Sequence, residues 1–302
     1  MLRAFLDYLR FELNRAPLTI EAYSTDLLQF GQWLAPDNPE NIDFKSVTSS
    51  DVRTWLASLA RAGVSPRSLR RKIISLRALF KWMMKNGFIE NSPLKEVPLP
   101  KIPKPLPDFI KPEEIEQAIR NLAESEEDDP LNILNRTVVE MLYSLGIRRA
   151  ELVAIDDADI SFSKGEVKVT GKRSKQRVIP VPEKLLDLIR KWQESRHLLN
   201  EDSPDLSSGA LFRIKGKRIT PNRVYAIVHE ALAESSARKK SPHALRHSFA
   251  SGMLNGGADL DSVREFLGHA SLSTTQIYTH ISLKEIKKAY SMAHPRSNNP
   301  DN

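Results

Sequence analysis

The chain has 302 residues, contains no cysteine and carries a formal net charge of +7. This length favours two domains, and the lack of cysteine excludes disulfides, zinc–thiolate sites and thiol nucleophiles. No apolar run approaches the ~18 residues of a membrane-spanning helix, and the N-terminal segment MLRAFLDYLRFELNR lacks the apolar stretch and cleavage site of a secretory signal. We therefore expect a cytoplasmic protein without membrane insertion.

The first third of the chain predicts an all-helical domain. Its apolar residues recur at helical spacing in four segments, at about residues 3–14, 19–35, 50–62 and 66–86. The last helix has the clearest ends, because Ser65-Pro66 is a good N-cap and first turn and Asn86-Gly87 is a good stop. Its expected core-facing stripe is Leu69, Ile73, Leu76, Phe80 and Met83.

This first third also carries most of the net charge. Residues 1–105 hold 16 Lys and Arg against 10 Asp and Glu, and no acidic residue lies between Asp51 and Glu90. One face of the last predicted helix carries Arg70, Arg77, Lys81 and Lys85. Such a face can be ordinary solvated surface, but solvated helices usually mix both signs. We therefore predict that this face binds DNA phosphates.

A proline-rich stretch divides the chain. Proline fixes φ and removes a backbone donor, so residues 92–108 are predicted to form an extended linker. It separates a helical DNA-binding domain of residues 1–91 from a second domain of residues 109–302.

The second domain is predicted to be helical with one small antiparallel sheet, which makes the whole chain mainly α. A helix begins at Lys111-Pro112, and residues 132–145 form a buried helix that ends at Gly146. Three short strands follow, at Ile160–Phe162, Glu166–Thr170 and Arg177–Val181.

Five residues of this domain suggest one active site: Arg148, His243, Arg246, His269 and Tyr278. They provide a phenol nucleophile and cationic donors without paired carboxylates, as metal-independent attack on a phosphodiester requires. Two guanidinium groups can neutralise the non-bridging oxygens. The phenol, with a reference pKa of ~10, must lose its proton during the attack. These groups therefore predict a DNA substrate. A phosphotyrosine ester conserves the energy of the broken bond, so we expect no ATP and no cofactor.

Each residue also has a structural interpretation. Glu151, one turn after Arg148, can simply be its ion-pair partner. His243 and His247 stand at the spacing of zinc ligands, but the glutamate of HExxH and a third ligand are missing, which disfavours metal binding. Tyr278 lies between apolar neighbours and can be a half-buried packing residue.

Together the motifs GIRRAEL, TGKRSKQRVIPV, HALRHSFASGML and FLGHASLSTTQIYTH closely resemble those of the tyrosine recombinases. The resemblance covers nearly the whole chain and is strongest to the bacterial Xer recombinases that resolve chromosome dimers, with a tail closer to the XerC type. It implies that Tyr278 is the nucleophile, that Arg148 and Arg246 hold the scissile phosphate, and that Lys172 protonates the leaving 5′ oxygen. His243 and His269 then complete the set as proton-transfer and hydrogen-bonding groups.

The resemblance also implies the partners. They are double-stranded DNA, a homo- or hetero-tetramer with a related recombinase on two DNA sites, and possibly a septal translocase of the FtsK type. An apolar stripe after Tyr278, formed by Leu283, Ile286 and Tyr290, suits docking on a neighbouring protomer. Three other functions stay open: relaxation of one duplex in the manner of a type IB topoisomerase, integration of a mobile element, and DNA binding without catalysis.

Overall fold

A computed structural model describes residues 1–38, 42–102, 110–124, 129–171, 174–199 and 209–268. The chain divides into two compact units, Met1–Pro105 and Leu106–Asn302. In the described part of the chain, no helix is long and apolar enough to cross a membrane.

The first unit is helical, as its apolar periodicity predicts. Its helices are α1 (Leu2–Asp7), which continues into a π-helical turn (Tyr8–Glu12), α2 (Pro17–Leu34), α3 (Ser49–Arg61) and α4 (Pro66–Lys85). These bounds lie close to the predicted ones. The caps explain why α3 and α4 begin where they do, because Thr48 and Asp51 form a capping box and Ser65 accepts from the backbone of Ser68.

Helix α4 provides much of the core of this unit. All five residues of its predicted apolar stripe are buried, and α4 packs against α2 and α3. The interface with α2 also holds a buried ion pair, in which Lys72 Nζ lies 3.0 Å from Asp26 Oδ1. The same carboxylate accepts from the hydroxyl of Ser75 at 2.9 Å. A buried charge is tolerated here because each oxygen of Asp26 has a donor.

Part of the predicted linker packs on the first unit. Leu94 and Val97 are buried in its core, and the carbonyl of Pro93 accepts from the hydroxyl of Ser49 at 2.7 Å. The stretch from 103 to 108 lies outside the described residues.

The second unit is mainly helical and contains two small sheets. Its helices are α5 (Pro112–Glu124), α6 (Pro130–Leu145), α7 (Arg149–Ala154), α8 (Glu183–Ser195), α9 (Pro221–Ala231), α10 (Pro242–Asn255) and α11 (Leu260–Phe266). Its strands are β1 (Ile160–Ser161), β2 (Glu166–Thr170), β3 (Gln176–Pro180), β4 (Arg213–Ile214) and β5 (Lys217–Arg218). The mainly helical fold with a three-stranded antiparallel sheet β1-β2-β3 is confirmed.

The expectation of a single sheet is wrong, because β4 and β5 form a second, two-stranded antiparallel sheet. Each strand has only two residues, too few to show alternation in the sequence. The turn between them, Lys215-Gly216, has positive φ at both positions, as a tight hairpin requires.

Helix α6 is the centre of the second unit. It is buried along most of its length and packs against α5, α8, α9 and α10. Its C-cap is Gly146 in the left-handed region, with φ +55°. A Cβ at Gly146 would lie 2.7 Å from Cε1 of the buried Phe249 on α10. Only glycine therefore allows the chain to turn here and lead at once to Arg148.

Candidate active site

Arg148 is held at the beginning of α7 by the acidic residue one turn later. The backbone N–H of Arg148 donates to Glu151 Oε2 at 2.8 Å, and its Nη1 donates to Glu151 Oε1 at 2.7 Å. Its Nη2 donates to the carbonyl of Gly268 at 3.2 Å. Glu151 is thus the ion-pair partner that the sequence suggested. The guanidinium stays partly exposed and has further N–H groups for a ligand.

Arg246 lies on α10 and is only 5% exposed. Its Nη1 donates to the carbonyl of Gly146 at 2.6 Å, and its Nη2 donates to the carbonyl of Leu267 at 2.5 Å. Burial and the nearby charge of Arg148 lower its pKa to about 10, so the group stays charged at neutral pH. The structure therefore brings Arg148 and Arg246 to one carboxylate, since Arg246 Nη1 lies 3.9 Å from Glu151 Oε2.

A third arginine joins them, and the sequence reasoning missed it. Arg177 of β3 donates from Nη1 to Glu151 Oε1 at 3.1 Å and from Nη2 to Oε2 at 2.9 Å. The alternation of side chains along β3 is the sequence signal that could have identified it. Arg177 is cross-strand partner to the buried Val169 and shares a strand face with the buried Ile179. A cation at an inward position requires a buried anion.

Glu151 is the buried anion of this cluster and is 3% exposed. Burial alone would raise its pKa, but hydrogen bonds from Arg177 and from the backbone and side chain of Arg148 lower the pKa overall. The carboxylate therefore stays ionised near neutral pH. Three guanidinium groups around one carboxylate leave an excess of positive charge, which favours an anionic ligand.

The same three arginines bind the end of α11. Three consecutive carbonyls there each accept from one of them: Phe266 from Arg177, Leu267 from Arg246 and Gly268 from Arg148. The last carbonyls of a helix lack partners within the helix and carry partial negative charge. The cations therefore satisfy the end of α11 while the helix end orients their guanidinium planes.

His243 stands one turn before Arg246 on α10. Its Nε2 lies 3.1 Å from Nε2 of His247, with the two ring centroids 4.4 Å apart. Partial burial and electrostatic interaction with His247, Arg246 and Arg148 lower the pKa of His243. The imidazole is therefore neutral at pH 7 and can accept a proton. Among the described residues, no group of three or more acidic, histidine or cysteine side chains is arranged to hold a metal ion.

Lys172, His269 and Tyr278 lie outside the described residues, as do Leu283, Ile286 and Tyr290. The described neighbours of two of them meet the arginine cluster. A Cβ on Gly171, which precedes Lys172, would lie 3.3 Å from Glu151 Oε1. Gly268, which precedes His269, accepts from Arg148.

The basic face predicted on α4 is only partly exposed. Lys81 and Lys85 are exposed and Arg70 is half-exposed. Arg77, however, is half-buried and donates to the carbonyl of Val97 at 2.7 Å, and Lys85 Nζ lies over the ring of Tyr8.

Some basic residues between Asp51 and Glu90 do have acidic partners in the folded chain. Arg71 and Lys72 each lie 3.0 Å from Asp26, which comes from α2, and Arg53 lies 3.9 Å from Glu96. The absence of a nearby acidic residue in the sequence therefore does not by itself indicate a phosphate-binding face. Within the described part of the chain, Arg70 and Lys81 are the cations of this face that have neither an ion pair nor the backbone or ring contact of Arg77 and Lys85.

The chain is similar to known proteins over nearly its whole length. The phage integrase family matches residues 108–285, and the SAM-like N-terminal domain of phage integrases matches residues 2–87. The tyrosine recombinase XerC of Chlorobaculum parvum is 36% identical, covering 97% of this chain and 94% of its own length. XerC of Oceanobacillus iheyensis is also 36% identical, covering 97% and 95%.

Among solved structures, the XerH site-specific recombinase bound to a palindromic difH substrate, in a post-cleavage complex, is similar. It has a TM-score of 0.68 and 25% identity, covering 96% of this chain and 83% of that one. A lambda integrase dimer bound to a core site has a TM-score of 0.64 at 17% identity, which is a likeness of fold.

Proposed function

Because the chain belongs to the phage integrase family and is a tyrosine-type site-specific DNA recombinase, we propose that it exchanges DNA strands at a dif-like chromosomal site through a 3′-phosphotyrosyl intermediate. The observation that carries the chemistry is the cluster of Arg148, Arg246 and Arg177 around one buried carboxylate. The XerH complex with a difH substrate supports the choice of site.

In the proposed reaction, Tyr278 attacks the scissile phosphate and its oxygen replaces the 5′ oxygen of the next nucleotide. Arg148 and Arg246 bind the non-bridging oxygens, where charge develops in the transition state. Their positions are set before DNA arrives, since both guanidinium groups are already bound to carbonyls and to Glu151.

Proton transfer accompanies the attack. We assign removal of the phenol proton to the neutral His243 with the assistance of His269, and protonation of the leaving 5′ oxygen to Lys172. The phosphotyrosine ester is then attacked by the 5′ hydroxyl of the partner strand, which rejoins the DNA. The bond energy is conserved, so the cycle needs no ATP.

Four protomers acting on two duplexes are the assembly that fits this exchange, with the segment after Tyr278 docking on a neighbour. The domain organisation supports it, with residues 1–91 assigned to DNA binding, residues 92–108 to a linker and residues 109–302 to catalysis. The exposed Lys81 and the half-exposed Arg70 suit contact with phosphates along the duplex.

A plasmid with two dif-like sites tests the function. We expect the wild-type protein, with its partner recombinase where one exists, to delete the segment between the sites and Tyr278→Phe to be inactive. Tyr225→Phe is the matched control, because Tyr225 is an exposed tyrosine of α9 in the same unit and should leave recombination unchanged. Relaxation of supercoils without deletion would support a topoisomerase instead, and deletion by Tyr278→Phe would contradict the proposed nucleophile.

A further inference from the structure

Arg177 occupies a position in the cluster that the proposed chemistry does not use. It donates to both oxygens of Glu151 and, through Nε, to the carbonyl of Phe266 at 2.9 Å. One side chain on β3 thereby connects the carboxylate that holds Arg148 to the helix whose end leads directly to His269. Resting on the function proposed above, we infer that Arg177 is a positioning residue that fixes both the first phosphate-binding arginine and the end of α11.

The contact with Glu151 governs how tightly Arg148 is held. The described charged groups that face Glu151 are Arg148 on α7, Arg177 on β3 and Arg246 on α10. Because Arg177 satisfies one site on each carboxylate oxygen, Glu151 needs only one side-chain hydrogen bond from Arg148. Without Arg177, the buried carboxylate depends on Arg148 for neutralisation, and Arg148 is drawn away from the position that binds phosphate.

The contact with Phe266 governs where α11 ends. Gly268 has φ +63° and packs so closely on Arg177 that a Cβ there would lie 3.1 Å from Nη1. The backbone at Gly268, directly before His269, thus packs closely on the side chain of Arg177. Arg177 shares the task of binding these carbonyls with Arg148 and Arg246, but it is the one of the three that the mechanism does not assign to the phosphate.

Lysine cannot replace arginine in this position. A single ammonium can neutralise Glu151, but it cannot bind both carboxylate oxygens in parallel and also reach the carbonyl of Phe266 with the same planar group. Arg177→Lys therefore keeps the charge and removes the geometry, whereas Arg177→Gln removes both. The two variants separate electrostatic from positional effects.

The chain offers a matched control in Arg196. It also binds a carboxylate through both Nη atoms, at 2.6 and 2.8 Å from Asp157, and it donates to the carbonyl of Leu211. Its side chain is 13% exposed, compared with 17% for Arg177. Arg196→Lys and Arg196→Gln therefore measure the loss of an equivalent network in the same unit away from the cluster.

The first measurement is the rate of covalent adduct formation on a nicked suicide substrate at saturating protein, with DNA affinity measured separately. We expect Arg177→Lys to retain affinity and to form adducts about 100-fold more slowly, as for a misplaced catalytic group. In Arg177→Gln the pKa of Glu151 rises, so protonation of this carboxylate joins that of His243 and the rate falls more steeply at low pH than in wild type. Neither change is expected in the Arg196 variants.

The second measurement needs no activity. Hydrogen exchange of the DNA-free protein should be faster over residues 260–268 in Arg177→Lys than in wild type, and unchanged there in Arg196→Lys. Adducts at the wild-type rate together with unchanged exchange in Arg177→Lys would overturn the role of Arg177. The role would also be overturned if the Arg177 variants lost no more rate than the Arg196 variants and had the pH profile of wild type. Absence of adducts in the wild-type protein would overturn the proposed function, and faster exchange in Arg177→Lys would then still support the positioning role.

Discussion

Gly146 is predicted to be irreplaceable for two separable reasons. Replacement by Ala places a side chain in the left-handed region, which costs roughly 1–2 kcal/mol. It also brings Cβ to 2.7 Å from Cε1 of Phe249, and overpacking of a buried site costs about 1–3 kcal/mol more. We expect Gly146→Ala to lower the free energy of unfolding of the second unit by about 2–5 kcal/mol.

Gly257 provides the matched control, because it has φ +90° in the same unit and a Cβ there would meet no atom within 4 Å. Gly257→Ala should therefore show the backbone strain alone. In a Phe249→Ala background the clash is absent, so adding Gly146→Ala should cost only the strain, about 1–2 kcal/mol. The assay is a urea titration in which hydrogen exchange of peptides from α6 reports on the second unit. Equal costs for Gly146→Ala and Gly257→Ala would refute the reasoning.

Three other expectations concern DNA contact and proton transfer. Replacing Arg70 and Lys81 with Gln should lower the slope of log affinity against log salt by roughly 2, since each phosphate contact contributes ~0.9; an unchanged slope would identify the face as ordinary surface. Lys172→Ala should regain cleavage on a 5′-phosphorothiolate substrate, whose leaving group needs no proton, and equal impairment on both substrates would remove Lys172 from this role. Because the pKa of His243 is lowered below 6.5, its neutral form persists as pH falls to 6.5, so the wild-type cleavage rate should decline only below that pH; a decline that begins near pH 7.5 would count against His243 as the base.

Sequence patterns predicted well those helices whose ends and buried faces depend on residues a few positions apart. Helix α4 begins at a Ser-Pro cap, ends at Asn-Gly and buries its periodic apolar stripe, and each of these features involves residues a few positions apart. The strands β4 and β5 were missed because pairs of two residues show no periodicity.

Contacts between distant residues were beyond such signals. Lys72 finds Asp26 from another helix, 46 positions away in sequence, so counting acidic residues near a basic cluster misjudged its partners. The proposed phosphate-binding residues Arg148 and Arg246 were recognisable from their motifs. Arg177 was not, because its role depends on the pairing of β3 with β2 and on the approach of α11, which only the folded chain brings together.

Mapping the covalent adduct between Tyr278 and DNA tests the proposed function most directly. The protein is trapped on a nicked suicide substrate, digested with nuclease and protease, and analysed by mass spectrometry. We expect a nucleotide attached through its 3′ phosphate to Tyr278, and no adduct in Tyr278→Phe. A nucleotide on another residue, or an adduct of equal yield in Tyr278→Phe, would contradict the account.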